Sequence, residues 1–234
     1  MKKGQITLFI IVAILILFMV GFIFALSGKL SPNSTEDISS QVNSYVRSCI
    51  SKTSSEALKT LSMQGGYYEL PSGAFVYREG KIPVYYDQRI NLSPPLETLE
   101  EEFSKFLDNE LPECLKFNEI SRQGFKVIVG EPRTFTTISR NQLSLEIDVP
   151  IEISKKDFKL HLDNFRAQIE TDYGEAHDSS VRIVNKILED PKYLDYTFLG
   201  TISHPVTIIP ITDNAQAYLL SDKQFNYIFV VRYK

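Results

Sequence analysis

Residues 7–27 contain no charged side chain and consist almost entirely of Leu, Ile, Val, Phe, Met and Ala. In a helix rising about 1.5 Å per residue, roughly 20 such residues cross the hydrocarbon core of a bilayer. The stretch predicts a single transmembrane helix over residues 5–29, so whatever follows is a tethered domain. A secretory signal carries a shorter apolar region, about 7–15 residues, before its cleavage site. Ala25, Leu26 and Ser27 imitate such a site, yet the apolar run exceeds that length. Lys2 and Lys3 precede the span and favour a cytoplasmic N-terminus; Lys29 weakens this asymmetry without reversing it. The expected localisation is the cell membrane, single-pass, with the C-terminal domain extracytoplasmic.

The residues Lys2, Lys3, Gly4 and Gln5 resemble the processing site of archaeal type IV prepilins and archaellins, the class III signal peptides. The resemblance covers about the first 28 residues. It implies a leader of residues 1–4, cleavage between Gly4 and Gln5 on the cytoplasmic side, and an apolar helix that stays on the mature protein. Its implied partners are the lipid bilayer, a prepilin peptidase and other pilin-like subunits. Phe9 stands where bacterial pilins carry a helix glutamate. The ectodomain is long for a simple major pilin, which points to a minor pilin or a pilin-like surface protein. The opening is also similar to that of large, uncharacterised membrane-anchored proteins of small-genome archaea, a likeness that implies no activity.

About 200 residues remain beyond the anchor, enough for one sizeable domain or two small ones. The formal charge is −4, and setting aside Lys2, Lys3 and Lys29 leaves about −7. With no basic stripe, the electrostatic footprint of nucleic-acid binding is missing, and no nucleic-acid partner is expected. Cys49 and Cys114 are the two cysteines. Outside the membrane such a pair can oxidise, the alternative being two buried thiols. Asn33 and Asn91 each begin a glycosylation sequon, which outward topology would make available.

Residues 30–36 read as a polar linker, with Ser34 and Asp37 as a capping pair. Ile38, Val42, Tyr45, Val46, Cys49, Ile50, Ala57, Leu58 and Leu61 then recur at helical spacing, interrupted over 52–55, and Gly65-Gly66 ends the helix. Residues 74–78 and 83–86 read as a hairpin joined through 79–81. Pro94-Pro95 opens a second helix whose buried face is Leu96, Leu99, Phe103, Phe106 and Leu107. Its Glu97, Glu100, Glu101 and Glu102 read as a solvated face. Residues 125–129, 134–139, 143–149 and 158–162 alternate as antiparallel strands, 179–188 forms a third helix, and 206–211, 217–220 and 225–233 are strands. The expected fold class is α+β, a domain over 37–234 with helices toward its start and antiparallel sheet toward its end, as one unit or as two subdomains dividing near 130.

Catalytic chemistry is thinly represented. Glu175-Ala176-His177-Asp178 is the densest group of metal-ligand types, but adjacent residues on one loop rarely converge on an ion. His161 and Asp163 share a strand face with no nucleophile to serve. Gln64-Gly65-Gly66-Tyr67-Tyr68 lacks the Walker and Rossmann patterns and reads as a helix stop. Tyr67, Tyr68, Tyr77, Tyr85 and Tyr86 offer either a contact surface or sheet packing. No catalytic residue, metal ligand set or cofactor is expected. The sequence suggests a non-enzymatic pilin-like surface protein acting in assembly or adhesion, with a single-pass receptor or ligand-binding module as its rival.

Overall fold

A computed structural model describes residues 13–20, 22, 35–77, 80–191 and 195–233. The chain forms two compact units, Met1–Val42 and Asn43–Lys234. In the first, residues 13–20 are helical and every one of them is exposed; Leu17 is 71% and Phe18 75% accessible. Among the described residues no helix is long and apolar enough to cross a membrane. Most of the expected span lies outside the described residues, as do Lys2, Lys3, Gly4, Gln5, Asn33 and Ser34.

The second unit is mixed α+β with antiparallel sheets, and it contains strands from both sides of residue 130. Helix α1 (Thr35–Ser62) is unbroken where polar residues 52–55 suggested an interruption. Thr53 and Ser54 are themselves buried there. Val46, Cys49, Ile50, Ala57, Leu58 and Leu61 form its buried stripe. The chain leaves the helix through Gly65 and Gly66, both at positive φ (55° and 86°). A Cβ on Gly66 would lie 2.6 Å from Leu99 Cγ, so glycine is required by both conformation and space.

Strand β1 (Phe75–Tyr77) pairs with β2 (Gly80–Ile82), not with residues 83–86 as the alternation suggested. The expected partner, β3 (Val84–Asp87), instead belongs to a five-stranded sheet. There it lies antiparallel to β4 (Ile90–Asn91) and parallel to the C-terminal strand β11 (Asn226–Arg232). Arg232 Nε donates to Asp87 Oδ1 at 2.8 Å across that parallel pair. Strands β9 (Val206–Thr212) and β10 (Ala215–Ser221) complete the sheet as an antiparallel meander with β11. Of the five tyrosines, Tyr85 and Tyr86 are buried in this sheet as packing, while Tyr67, Tyr68 and Tyr77 are half-buried. Tyr85 donates to the Gly65 carbonyl at 2.5 Å and lies 2.7 Å from the Tyr227 hydroxyl. Burial holds both phenols well above their ordinary pKa, so they stay neutral.

Helix α2 (Leu96–Cys114) begins after Pro95 and buries Leu99, Phe103, Phe106, Leu107 and Leu111. Its acidic run is less solvated than its charge implied. Glu102 is buried and accepts the Tyr68 and Glu69 backbone N–H groups at 2.9 and 2.8 Å, while Glu100 accepts from Ile138 N at 2.8 Å. These carboxylates supply partners to backbone donors that would otherwise lack one. The Cys49–Cys114 disulfide joins α1 to the end of α2, with Cα atoms 5.7 Å apart. The short helix α3 (Asn118–Arg122) follows.

The second sheet is built on β7 (Gln142–Lys155), twice the length that the alternation over 143–149 marked. On one side β7 pairs with β8 (Phe158–Glu170). On the other it pairs first with β6 (Arg133–Ser139) and then with β5 (Lys126–Val129). The register against β8 shifts between Asp148 and Ile151, around Pro150. Proline has no N–H to give a ladder and is tolerated at such a bulge. Gly130 sits beside it, and its N–H reaches the Pro150 carbonyl at 2.7 Å. Residues 143, 145, 147, 149, 151 and 153 nevertheless stay buried on one face.

Helix α4 (Tyr173–Glu189) touches β4 and β11 of one sheet and β6 and β7 of the other. It starts six residues before the expected third helix. Its first turns are buried although they are polar, because packing between two sheets replaces the usual solvated face. The helix α5 (Tyr196–Leu199) is capped by Asp195, whose Oδ1 accepts from Phe198 N at 2.8 Å.

Candidate functional site

A cleft of about 630 Å³ opens where four segments meet. The β6–β7 turn supplies Arg140 and Asn141, the entry to α4 supplies Asp172 and Glu175, and the segment before β9 supplies Ser203 and His204. The β10–β11 turn contributes Ser221, Asp222 and Lys223. Backbone bonds hold these pieces together. Thr171 N donates to the Asn141 carbonyl at 3.1 Å, Glu175 N to that of Arg140 at 3.0 Å, and Ser221 N to that of Pro205 at 3.0 Å.

Glu175 is the anchor of one wall. Both Nε and Nη2 of Arg140 donate to its carboxylate, the latter at 2.9 Å, and Ser203 Oγ donates at 2.5 Å. The Arg140 hydrogen bond holds the Glu175 carboxyl below its ordinary pKa, against the effect of burial. A carboxylate so held stays ionised and ties the β6–β7 turn and the segment before β9 to α4.

In the same cleft, Asp172, His204 and Asp222 each offer a ligand atom, and these atoms all lie within 4.8 Å of one another. His204 is 5% exposed and its Nδ1 has no hydrogen-bond partner. Asn141 Nδ2 donates to Asp172 Oδ1 at 3.0 Å, and Gln224 N to Asp222 Oδ1 at 2.8 Å.

The residues singled out from the sequence lie apart from the Asp172, His204 and Asp222 set. Glu175 and His177 belong to α4, not to a loop, and do not converge. Glu175 faces Arg140, while His177 Nε2 donates to the Pro94 carbonyl at 2.9 Å. His161 Nε2 and Asp163 Oδ2 are 3.9 Å apart on exposed β8 with both side chains more than half accessible, a solvated strand face. Asn91 is exposed in β4; its Nδ2 donates to Asn185 Oδ1 at 3.0 Å and its Oδ1 accepts from Ser93 N at 2.9 Å. The convergent set of Asp172, His204 and Asp222 was missed because 32 and 18 residues separate its members, and each looks locally like a turn or helix-entry residue.

His177 makes stability depend on pH. Burial lowers its pKa below the ordinary value, while the Pro94 carbonyl, Asp178 and Glu97 act in the opposite sense. The unfolded chain then binds the proton more readily, so stability is full above about pH 6.5 and is lost as pH falls through the lowered folded value. Urea midpoints should drop between pH 7 and 5 in the native protein and drop less in His177→Gln. Equal slopes for the two proteins would exclude this source.

No protein-family model, curated protein or solved structure matches the chain.

Proposed function

We propose that the protein is a membrane-anchored, extracytoplasmic, pilin-like surface protein. Its N-terminal apolar helix anchors or assembles it, and its α+β unit makes non-catalytic contacts outside the cell. The observation that carries this reading is the charge-free run of residues 7–27, whose described part is helical with every side chain exposed. An apolar helix accessible all round calls for a covering of lipid or of like helices. The Cys49–Cys114 disulfide supports the outward topology, since such bonds persist in oxidising compartments. The cleft beside α4 favours a second reading, a single-pass receptor or ligand-binding module with no filament role.

The N-terminus of the mature protein separates these readings. In a host with an archaeal prepilin peptidase, the expected mature start is Gln5, and Gly4→Leu should leave the leader in place. A start at Met1 would leave a plain anchor and favour the receptor reading. A start near Gly28 would mean a secreted domain and would sink both.

A further inference from the structure

We propose that Asp172, His204 and Asp222 form a binding site for one divalent transition-metal ion of the zinc type. This goes beyond the surface-protein reading and does not depend on it.

The donor set has the right chemistry. One imidazole nitrogen and two carboxylates suit zinc and its first-row neighbours, whereas calcium and magnesium take oxygen donors. Ligands about 2.0–2.2 Å from a zinc ion stand roughly 3–4 Å apart, so atoms already within 4.8 Å need only a small side-chain closure. His204 supplies the independent sign. It is 95% buried by accessibility, and its Nδ1 has no hydrogen-bond partner. Buried polar atoms are ordinarily paired, and a buried imidazole with an orphaned nitrogen, whose ring also approaches two carboxylates, is an arrangement that an ion completes.

The surroundings orient the ligands. Asn141 Nδ2 holds one oxygen of Asp172 and Gln224 N holds one oxygen of Asp222, which leaves each carboxylate its second oxygen. Such outer hydrogen bonds fix ligand direction. The cations on the cleft wall are Arg140 and Lys223, and Arg140 is neutralised by Glu175. Three protein donors would leave a coordination position open toward the cleft, for water or for an acidic group of a bound partner. An ion there ties the entry of α4, the segment before β9 and the β10–β11 turn to one point.

The test uses the full chain in detergent, stripped with chelator and titrated calorimetrically with zinc chloride, with calcium and magnesium in parallel. The expected result is saturable binding of one zinc per chain and none of comparable strength for the other two. His204→Ala and Asp222→Asn should each weaken zinc binding on the order of 100-fold, and Asn141→Ala about 10-fold. Cobalt(II) should give d–d absorption in the native protein and lose it in His204→Ala. Circular dichroism of the chelator-stripped variants checks that they remain folded. The inference is overturned by absent saturable binding, by equal affinity for calcium, or by binding that survives His204→Ala and vanishes in His161→Ala.

Discussion

Replacing Cys49 and Cys114 together by serine should lower the thermal midpoint of the folded unit by roughly 8–16 °C. The two cysteines are 65 residues apart in sequence. A cross-link closing a loop of that size removes unfolded-state entropy worth about 4 kcal/mol at 25 °C in the chain-entropy treatment. For a unit of this length, each kcal/mol moves the midpoint by about 2–4 °C. Neighbouring contacts at the junction do not involve the sulfurs: Tyr45 Oη donates to the Cys114 carbonyl at 2.5 Å, and its ring packs on Phe117 with centroids 4.9 Å apart. The loss should therefore come chiefly from the freed unfolded chain. Scanning calorimetry of the native protein, the double variant and the native protein in reductant checks this. The last two should agree, and a shift under about 2 °C in both would remove the disulfide as a main support of this fold.

The second large effect is expected at Gly174. A Cβ there would sit 2.3 Å from the Ser139 carbonyl oxygen and 3.0 Å from its carbon. Those atoms are backbone at the end of β6, so no side-chain rotation relieves the clash. Gly174→Ala should cost about 2–3 kcal/mol, in the range of core overpacking, by forcing α4 away from the β6–β7 turn. The same displacement would stretch the Arg140–Glu175 pair and the Asn141–Asp172 bond that shape the cleft. Urea unfolding gives the energetic arm of the test, and zinc affinity gives the geometric one. A variant as stable as the native protein would show that the α4–β6 contact is looser than described.

Helix α2 was legible because its start is marked by Pro94-Pro95 and its apolar residues keep a helical period. The alternation of β6 and the first half of β7 was equally plain, since one face is buried and the other wet. Beyond that point the local signal misleads. The expected strands stop at 149 and 162, just before Pro150 and Asp163-Asn164, yet the bulge at Pro150 and a wet outer face on β8 let both strands run on. The start of α4 was hidden because Glu175 and His177 are buried polar residues, which a hydrophobic pattern reads as solvent-facing.

The sequence by itself determined the apolar run over residues 7–27, the period of each strongly amphipathic helix and strand, and the glycine stop at Gly65-Gly66. These are local properties, set by which face of an element is buried and which backbone angles a residue allows. Tertiary structure alone decided that β3 would pair with β11 across 145 residues, from Asp87 to Arg232, and that Cys49 would meet Cys114. It alone also brought Asp172, His204 and Asp222 to one point. A repeating pattern states that a surface must be covered, but not by what. The covering element is chosen by the sum of many weak packing contacts made only when the whole chain has closed.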